Sequence, residues 1–340
     1  MRVQSPRLTL GGRRRSAGRD AGVGATTAFF ATDLHGSEIC FRKFVNAAEF
    51  YGADTLILGG DITGKFVVPV VEQADGSYAA ELFGTERQIP RESVDGYQRE
   101  IADRGLYAKR MNEEEREACE RDPALVDRIF EQLMGSRLIE WIALAKQKLA
   151  GTQVRILCAP GNDDPFFIDD IIREHGEDRV LLVEGEVYEL APGHEMLSTG
   201  YSNETPWNTH RELPEDELRA RIDAIAAKLD SPRTSVFNIH VPPRDVGIDT
   251  APALNEDLSV KTSAGAELTE PVGSTAVRDA LDHYQPLLSI HGHVHEADGI
   301  ARLGATVAMN AGSEYGDGRL RGILFSVGGG ELIRYQATVG

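Results

Sequence analysis

Residues 154–165 read VRILCAPGNDDP, an apolar run followed at once by a helix breaker, a glycine, an amide and two carboxylates. Short apolar runs bounded by Gly and Pro are typical of strands that are buried on both faces of a sheet. Polar residues crowded after such a strand form either a tight turn or part of a site. The stretch by itself leaves both interpretations open, and the Asp after Asn162 needs an explanation.

The same pattern recurs along the chain. Apolar runs at 27–32, 55–58, 235–239 and 286–290 also end in polar residues. Together with residues 154–158 they deliver seven candidate ligands: Asp33, His35, Asp61, Asn162, His240, His293 and His295. Helical patterns at 37–50, 214–229 and 274–284 alternate with these runs and predict an α/β fold. Sites in such sheets gather beyond the carboxyl ends of the strands, so we expect one site built from five loops.

The chemistry of the seven candidates favours a metal centre. Imidazoles and carboxylates together suit Zn, Mn, Fe, Co or Ni better than Ca or Mg. Seven ligands are too many for one tetrahedral ion, but they fit two ions bridged by a carboxylate. Two such ions hold a hydroxide and stabilise the attacking and leaving oxygens of an ester. We therefore predict two divalent transition-metal ions, with Mn²⁺ preferred.

Other histidines are assigned no role in the site. We expect His291 to be structural because it lies earlier in its strand than His293. The remaining ones sit in polar stretches and are expected to be solvated: His175, His194, His210 and His283.

The ordered blocks D-x-H, G-D, G-N, a lone His and G-H-x-H resemble the calcineurin-like metallophosphoesterases. The resemblance covers residues 27–340 apart from an insertion, and it includes the trailing Asn310–Ser313 segment. It implies an α/β/β/α sandwich of two mixed β-sheets flanked by helices. It also implies that Asp33, His35 and His295 hold the first metal. Asn162, His240 and His293 would hold the second, with Asp61 bridging the two. The segments GKFVVPVVEQ and NAGSEYGDG further resemble an Icc-related subgroup of predicted phosphoesterases.

Asp163 departs from the family pattern, which usually continues G-N-H with a His that assists catalysis. An aspartate beside two dications is expected to have a lowered pKa and to be a poor general acid. Charge counting points the same way: two dications, two aspartates and a hydroxide leave about +1, which a phosphodiester monoanion neutralises. The alternative is that Asp163 turns away and bonds a backbone N–H of its own turn.

Composition limits the partners. The net charge is -18, and residues 1–26 hold six Arg and one Asp, so the other residues carry -23 (-18 minus +5). Such an acidic body repels long nucleic acids. The sequence contains no run of eighteen apolar residues, so it predicts no membrane-spanning helix. We expect a cytoplasmic protein. Residues 1–26 are predicted to be a basic, disordered tail or a start placed too early, with a twin-arginine signal as the weaker alternative, followed by a metallophosphoesterase domain at 27–340.

The domain is interrupted between Asp61 and Asn162. Residues 65–135 are predicted to be an insertion that starts with a hairpin about Asp75–Gly76 and continues, over 91–135, as charged helix. It forms either a cap near the metals or a dimerisation arm, so a homodimer is one expectation. Residues 200–213 look like a substrate-facing loop, in which Asn203 and Trp207 are candidate substrate contacts. A loop anchor packed on the core is the alternative for Trp207.

The sequence thus predicts a dinuclear metal-dependent phosphodiesterase that hydrolyses small phosphodiesters, such as cyclic or other nucleotide-like esters, through a metal-bridging hydroxide. Asp61, Asn162 and Asp163 are the candidate catalytic residues. One alternative is a phosphomonoesterase or protein phosphatase on the same site. The other is a catalytically weak, metal-binding scaffold protein.

Overall fold

In the computed structural model the described residues are 24–340, and they form 22 strands and seven α-helices. The strands of the first half are β1 (Thr26–Ala31), β2 (Thr55–Leu58), β3 (Val67–Glu72), β4 (Tyr78–Leu82), β5 (Thr85–Ile89), β6 (Tyr107–Met111), β7 (Arg155–Cys158) and β8 (Val180–Leu182). Those of the second half are β9 (Val187–Ala191), β10 (His194–Thr199), β11 (Ser202–Asn203), β12 (Glu212–Leu213), β13 (Val236–Ile239), β14 (Thr250–Pro252), β15 (Thr262–Ser263), β16 (Ala266–Glu267), β17 (Thr269–Pro271), β18 (Leu288–His291), β19 (Gly299–Leu303), β20 (Thr306–Asn310), β21 (Arg321–Gly328) and β22 (Glu331–Val339). The helices are α1 (Glu38–Tyr51), α2 (Val94–Asp103), α3 (Glu113–Arg121), α4 (Pro123–Lys148), α5 (Phe167–Gly176), α6 (Glu215–Ala226) and α7 (Thr275–Tyr284).

Two six-stranded sheets dominate the molecule. The first has the order β22-β21-β1-β2-β7-β8, and the second has the order β19-β20-β18-β13-β10-β9. The inner strands of each sheet run parallel, whereas β21 and β22 in one and β9 and β19 in the other run antiparallel to their neighbours. Both sheets are therefore mixed.

The side chains of β1 show how the layers form. Phe29 and Ala31 point into a core shared with α1, α4 and α5, whereas Ala28 and Phe30 point into the core between the two sheets. Alternate residues of a strand face opposite sides, so a strand between two apolar layers is apolar throughout. A third core lies between the second sheet and α6 and α7. The predicted α/β/β/α sandwich is thus confirmed.

Helix α1 illustrates the local signals. Its buried face, from Cys40 to Ala48, repeats at helical spacing, and the helix ends at Gly52, whose φ of 63° is left-handed. Trp141 of α4 stacks on Phe41 with ring centroids 4.2 Å apart and donates through its indole nitrogen to Glu38 Oε2 at 2.5 Å. These contacts fix α4 on the outer face of the first sheet.

The segment between β2 and β7 differs in part from the prediction. β3 and β4 pair antiparallel, but they belong to a four-stranded sheet, β5-β4-β3-β6, with its own small core under α2. Strand β6 lies where the sequence predicts charged helix. Its charged residues Lys109 and Arg110 gave no strand pattern, and the strand forms because it pairs parallel with β3. The boundary predicted at residue 135 falls inside α4, which continues unbroken into the core. Whether this segment is a cap or a dimerisation arm stays a prediction.

Two further predictions concern the chain's ends and membranes. The tail predicted at residues 1–26 lies, up to residue 23, outside the described residues, and β1 begins at Thr26. Among the described helices there is none whose length and apolar character would let it span a bilayer.

Candidate metal centre

The loops that follow β1, β2, β7, β13 and β18 converge at one place between the carboxyl ends of the two sheets. They bring together all seven predicted ligands: Asp33, His35, Asp61, Asn162, His240, His293 and His295. Five of the seven side chains are buried, and His293 and His295 are partly exposed. The single site expected from the sequence is therefore present as a geometric cluster.

One group of donors is formed by Asp33, His35 and His295. The Nε2 atoms of His35 and His295 lie 3.1 Å apart, and His295 Nε2 lies 3.3 Å from Asp33 Oδ1. These three donor atoms are close enough to one another to share a single ion. This is the trio that the resemblance assigns to the first metal.

Asp61 lies between two groups of donors. Its Oδ2 lies 3.6 Å from His35 Nε2, and its Oδ1 lies 3.4 Å from His240 Nε2. The two carboxylate oxygens thus face different imidazoles, as a bridging carboxylate would. On the far side His293 Nδ1 lies 2.8 Å from Asn162 Oδ1. The buried Asp and His clusters could bind divalent metals.

Neighbouring groups orient the ligands from behind. His240 Nδ1 bonds Gly59 O at 2.9 Å, which leaves Nε2 buried and without a hydrogen-bond partner anywhere in residues 24–340. Asn162 donates its amide to Thr209 Oγ1 at 2.8 Å, which turns its carbonyl oxygen toward His293. Outer contacts of this kind fix the donor atom of a metal ligand. Buried polar atoms normally have a hydrogen-bond partner, and a metal ion would supply the partner that this imidazole nitrogen lacks.

The backbone of the site is strained. Asp33, His35, Asp61 and His293 have φ angles of 52°, 40°, 48° and 66°, a left-handed conformation that costs free energy for residues other than Gly. Four of the seven predicted ligands share this conformation. This indicates that the loops are shaped to position the ligands and not to minimise the local free energy of the backbone.

Two side chains, one buried and one half-buried, hold these loops in place. Asp164 accepts hydrogen bonds from the backbone N–H groups of Ile62, Thr63 and Gly161 at 2.8–3.1 Å, as expected for a residue that fixes the loop. The hydroxyl of Ser313, in the trailing segment of the resemblance, donates to Asp33 O at 2.7 Å.

The electrostatics of the cluster lower the pKa of two of its four imidazoles and raise the pKa of the other two, His240 and His295. Burial lowers the pKa of His35 to about 3 and that of His293 to about 4. For His240, burial is outweighed by the carboxylates of Asp61 and Asp33, which raise the pKa to about 10. In the absence of metal, His240 carries the positive charge that the two aspartates attract.

We expect divalent metal binding to release protons and to become tighter as the pH rises from about 7 toward 10. His240, with its pKa of about 10, is protonated at neutral pH, and a metal binds only the neutral imidazole. Below that pKa, each released proton strengthens the apparent affinity by up to about tenfold per pH unit. Titration calorimetry with Mn²⁺ in buffers of different ionisation enthalpy counts the protons; an affinity that does not change between about pH 7 and 9 contradicts the expectation.

Asp163 does not turn away from the site. Its Oδ2 lies 2.5 Å from Lys65 Nζ and 4.0 Å from His35 Nδ1, so the alternative in which it bonds its own turn is wrong. Burial and Asp61 raise its pKa in the metal-free protein, against the opposing effect of Lys65. The lowering predicted from two dications concerns the metal-loaded protein and stays a prediction.

Lys65 is the residue that the sequence interpretation missed. Its ammonium group enters the site from the loop after β2, and the pairing with Asp163 offsets that carboxylate's charge. The available signal was its position four residues after Asp61 in GDITGK, on a loop already predicted to reach the metals.

The candidate substrate residues lie beside the cluster. Asn203 and Trp207 line the same cleft as Asp61 and His293. Trp207 is 62% exposed, so the alternative that it anchors its loop in the core is wrong. That either side chain contacts the substrate stays a prediction.

For the remaining histidines, one prediction agrees with the structure and one does not. His291 is buried with Nδ1 bonded to Ile239 O at 2.7 Å and stands outside the donor groups, in line with a structural role. His194, expected to be solvated, is fully buried; it bonds Thr234 O and receives the backbone N–H of Gly330. That prediction is wrong because His194 begins strand β10 and is buried by tertiary packing, which its polar neighbours in the sequence do not indicate.

Comparisons with known proteins find only distant similarity. No protein-family model matches it. The uncharacterized protein MJ1162 of Methanocaldococcus jannaschii is 25% identical over 160 residues, which are 46% of this chain and 63% of that protein. The match thus spans less than two thirds of that relative's length.

Solved structures give the fold. One that is 15% identical superimposes with a TM-score of 0.52 over 93% of this chain and 98% of the other. TT1561 of Thermus thermophilus is 12% identical with a TM-score of 0.47 over 92% of this chain and 98% of that one. A dimetal phosphatase from Danio rerio is 11% identical with a TM-score of 0.41 over 93% and 98%. At such identities the likeness concerns the fold alone, and the two lower scores carry no argument.

The chain has the fold predicted from its resemblance to the calcineurin-like metallophosphoesterases, with two mixed sheets packed between helices. The Icc-related subgroup is not confirmed and stays a prediction.

Proposed function

We propose that the protein is a dinuclear metal-dependent phosphodiesterase. The observation that carries the proposal is the buried cluster in which the two oxygens of Asp61 face the imidazoles of His35 and His240. A carboxylate with one oxygen toward each of two donor groups can bridge a pair of ions, as two-metal sites use.

The residues present fit two divalent ions. Asp33, His35 and His295 would hold one ion, Asn162, His240 and His293 would hold the other, and Asp61 would bridge them. When bound, such ions supply a nucleophile at neutral pH and neutralise charge on the phosphoryl group. Manganese is our preferred metal because the donors are imidazoles and oxygens, without thiolates.

The protein's own side chains then orient the substrate. The neutral carbonyl oxygen of Asn162 contributes no negative charge beside the phosphoryl group, and its amide stays bonded to Thr209. Lys65, held by Asp163, presents an ammonium group at the edge of the cluster, where a non-bridging phosphoryl oxygen can accept a hydrogen bond.

The ion pair changes the charge argument without reversing it. Two dications, Asp33, Asp61 and a hydroxide leave about +1, and Lys65 cancels Asp163, so a diester monoanion neutralises the site whereas a monoester dianion leaves about -1. Asp163, paired with Lys65, therefore adds no charge of its own against monoesters. The preference for diesters rests on the remaining difference of one charge.

We expect Mn²⁺-loaded protein to hydrolyse bis-p-nitrophenyl phosphate with kcat/KM at least about tenfold above that for p-nitrophenyl phosphate. Release of p-nitrophenolate measures both reactions. A clear preference for the monoester supports the phosphomonoesterase alternative and rejects the diester proposal. Fewer than about one transition-metal ion per chain, with no turnover of either ester, supports the scaffold alternative.

A further inference from the structure

The metal cluster opens into a cleft that is larger than a small diester needs. The cleft has a volume of about 2000 Å³, and Asp61, Asn162, His293 and His295 are among the residues that line it. Pockets for small ligands usually measure about 300–1,000 Å³. If the site is a phosphodiesterase, as proposed above, most of this space lies beyond the phosphoryl group and faces the alcohols that it joins.

Large apolar side chains point into this space from three separate segments. Phe66 follows Lys65 in the loop after β2, Trp207 lies in the loop between β11 and β12, and Leu258 and Val260 lie between β14 and β15. Their exposed fractions are 64%, 62%, 46% and 39%. Leaving such surface in water is unfavourable, and a ligand that covers it gains binding free energy.

The position of these residues relative to the cluster matters more than their number. Phe66 is the immediate neighbour of Lys65, and Trp207 is two residues from Thr209, whose hydroxyl bonds the side chain of Asn162. Both aromatic side chains thus lie on loops that also carry groups of the cluster, and both line the cleft into which the cluster opens. Aromatic faces stack on flat uncharged rings at little entropic cost.

The charges of the outer cleft oppose an anionic substrate. Apart from Asp61 and Asp163, seven carboxylate side chains line the cleft in the described part of the chain, against the basic side chains of Lys65, Arg244 and Lys261. Lys65 is already paired with Asp163. A second phosphate beyond the cluster would thus lie among unmatched negative charges, which lowers both its association rate and its affinity.

We propose that this cleft selects phosphodiesters in which one of the two alcohols is bulky, aromatic and uncharged. The inference rests on the proposed function, since it concerns what is attached to the phosphoryl group. It excludes oligonucleotides and other substrates with further phosphates, and it makes Trp207 and Phe66 determinants of specificity.

Three esters with the same p-nitrophenyl leaving group test the proposal on the full-length Mn²⁺-loaded protein. The retained alcohol is methyl, 2-naphthylmethyl or a carboxylated 2-naphthylmethyl group. We expect kcat/KM for the naphthylmethyl ester to exceed that of the methyl ester at least about tenfold, chiefly through KM, and the added carboxylate to remove most of the gain.

Variants assign the effect to the cleft. Trp207→Ala is expected to lower the ratio of naphthylmethyl to methyl kcat/KM at least about fivefold. Phe50→Ala is the matched control, because Phe50 is 80% exposed on α1 and does not line the cleft, and the ratio should not change. Equal effects of the two variants would reject the role of Trp207.

Fluorescence supplies a second readout that does not depend on turnover. The chain has two tryptophans, and Trp141 is buried at 2% exposure, so quenching by an added naphthylmethyl methylphosphonate reports on Trp207. If bis-p-nitrophenyl phosphate and all three esters resist hydrolysis, the proposed function fails, and the quenching still tests the cleft. If the methyl ester is hydrolysed as well as the naphthylmethyl ester, or if the carboxylated ester is the best substrate, the inference is overturned while the function stands.

Discussion

Asp61→Asn is expected to lower kcat/KM for bis-p-nitrophenyl phosphate by roughly three orders of magnitude or more. Asp61 is 3% exposed, and its two oxygens face His35 and His240 at 3.6 and 3.4 Å. An amide offers one oxygen, so its NH₂ group would face one of the two donor groups and could not serve a metal there. The loss should therefore appear both in turnover and in metal content.

The measurements are steady-state kinetics and elemental analysis of the purified variant, with circular dichroism to confirm that it folds. Asp163→Ala is the matched control, because Asp163 follows Asn162 in the same loop but pairs with Lys65. We expect it to keep a measurable fraction of activity, with a loss of about 10–100-fold. Equal losses in the two variants would mean that Asp163 is itself catalytic.

Gly161→Ala is expected to disrupt the site almost as strongly without removing any ligand. A Cβ atom at residue 161 would lie 2.2 Å from Asp61 Oδ1 and 2.3 Å from the backbone nitrogen of Asp61. The loops after β2 and β7 would have to separate, and Asp61 would leave its position between the two donor groups. We expect an activity loss of at least about 100-fold, because misplacement by about 1 Å can cost that much. Overpacking should also destabilise the fold by about 1–3 kcal/mol.

Gly96→Ala is the control for that change. Gly96 lies in α2, and the nearest atom to its added Cβ, on Arg99, is 4.0 Å away. Alanine at an open helical position is expected to stabilise the fold by roughly 0.5–1 kcal/mol. Urea unfolding and metal content measure both variants. Wild-type metal content and activity in Gly161→Ala would show that the two loops have room that the structure does not show.

The sequence carried enough information to predict the layers of the fold and the membership of the cluster. Strands such as β1 and β7 are apolar because they lie between two cores, and this can be read directly from composition. Their carboxyl ends meet at one edge for topological reasons, so Asp33 and Asn162 could be placed together although 129 positions of chain separate them.

Predictions failed where a residue's environment comes from a distant segment. Strand β6 exists because β3 pairs with it, not because YAKRM favours a strand. His194 is buried by Thr234 and Gly330, which lie 40 and 136 residues further along the chain. Polar neighbours in sequence say little about such contacts.

The sequence by itself determined which side chains could form a metal centre, because ligand types after buried strands are a local pattern. Only the tertiary structure decided how each oxygen of Asp61 is directed, that Lys65 neutralises Asp163, and that Trp207 stands in a cleft rather than in the core. The physical reason is that charge pairing and exposure depend on distances between loops of different strands. Local propensity does not encode these distances, whereas the packing of the two sheets does.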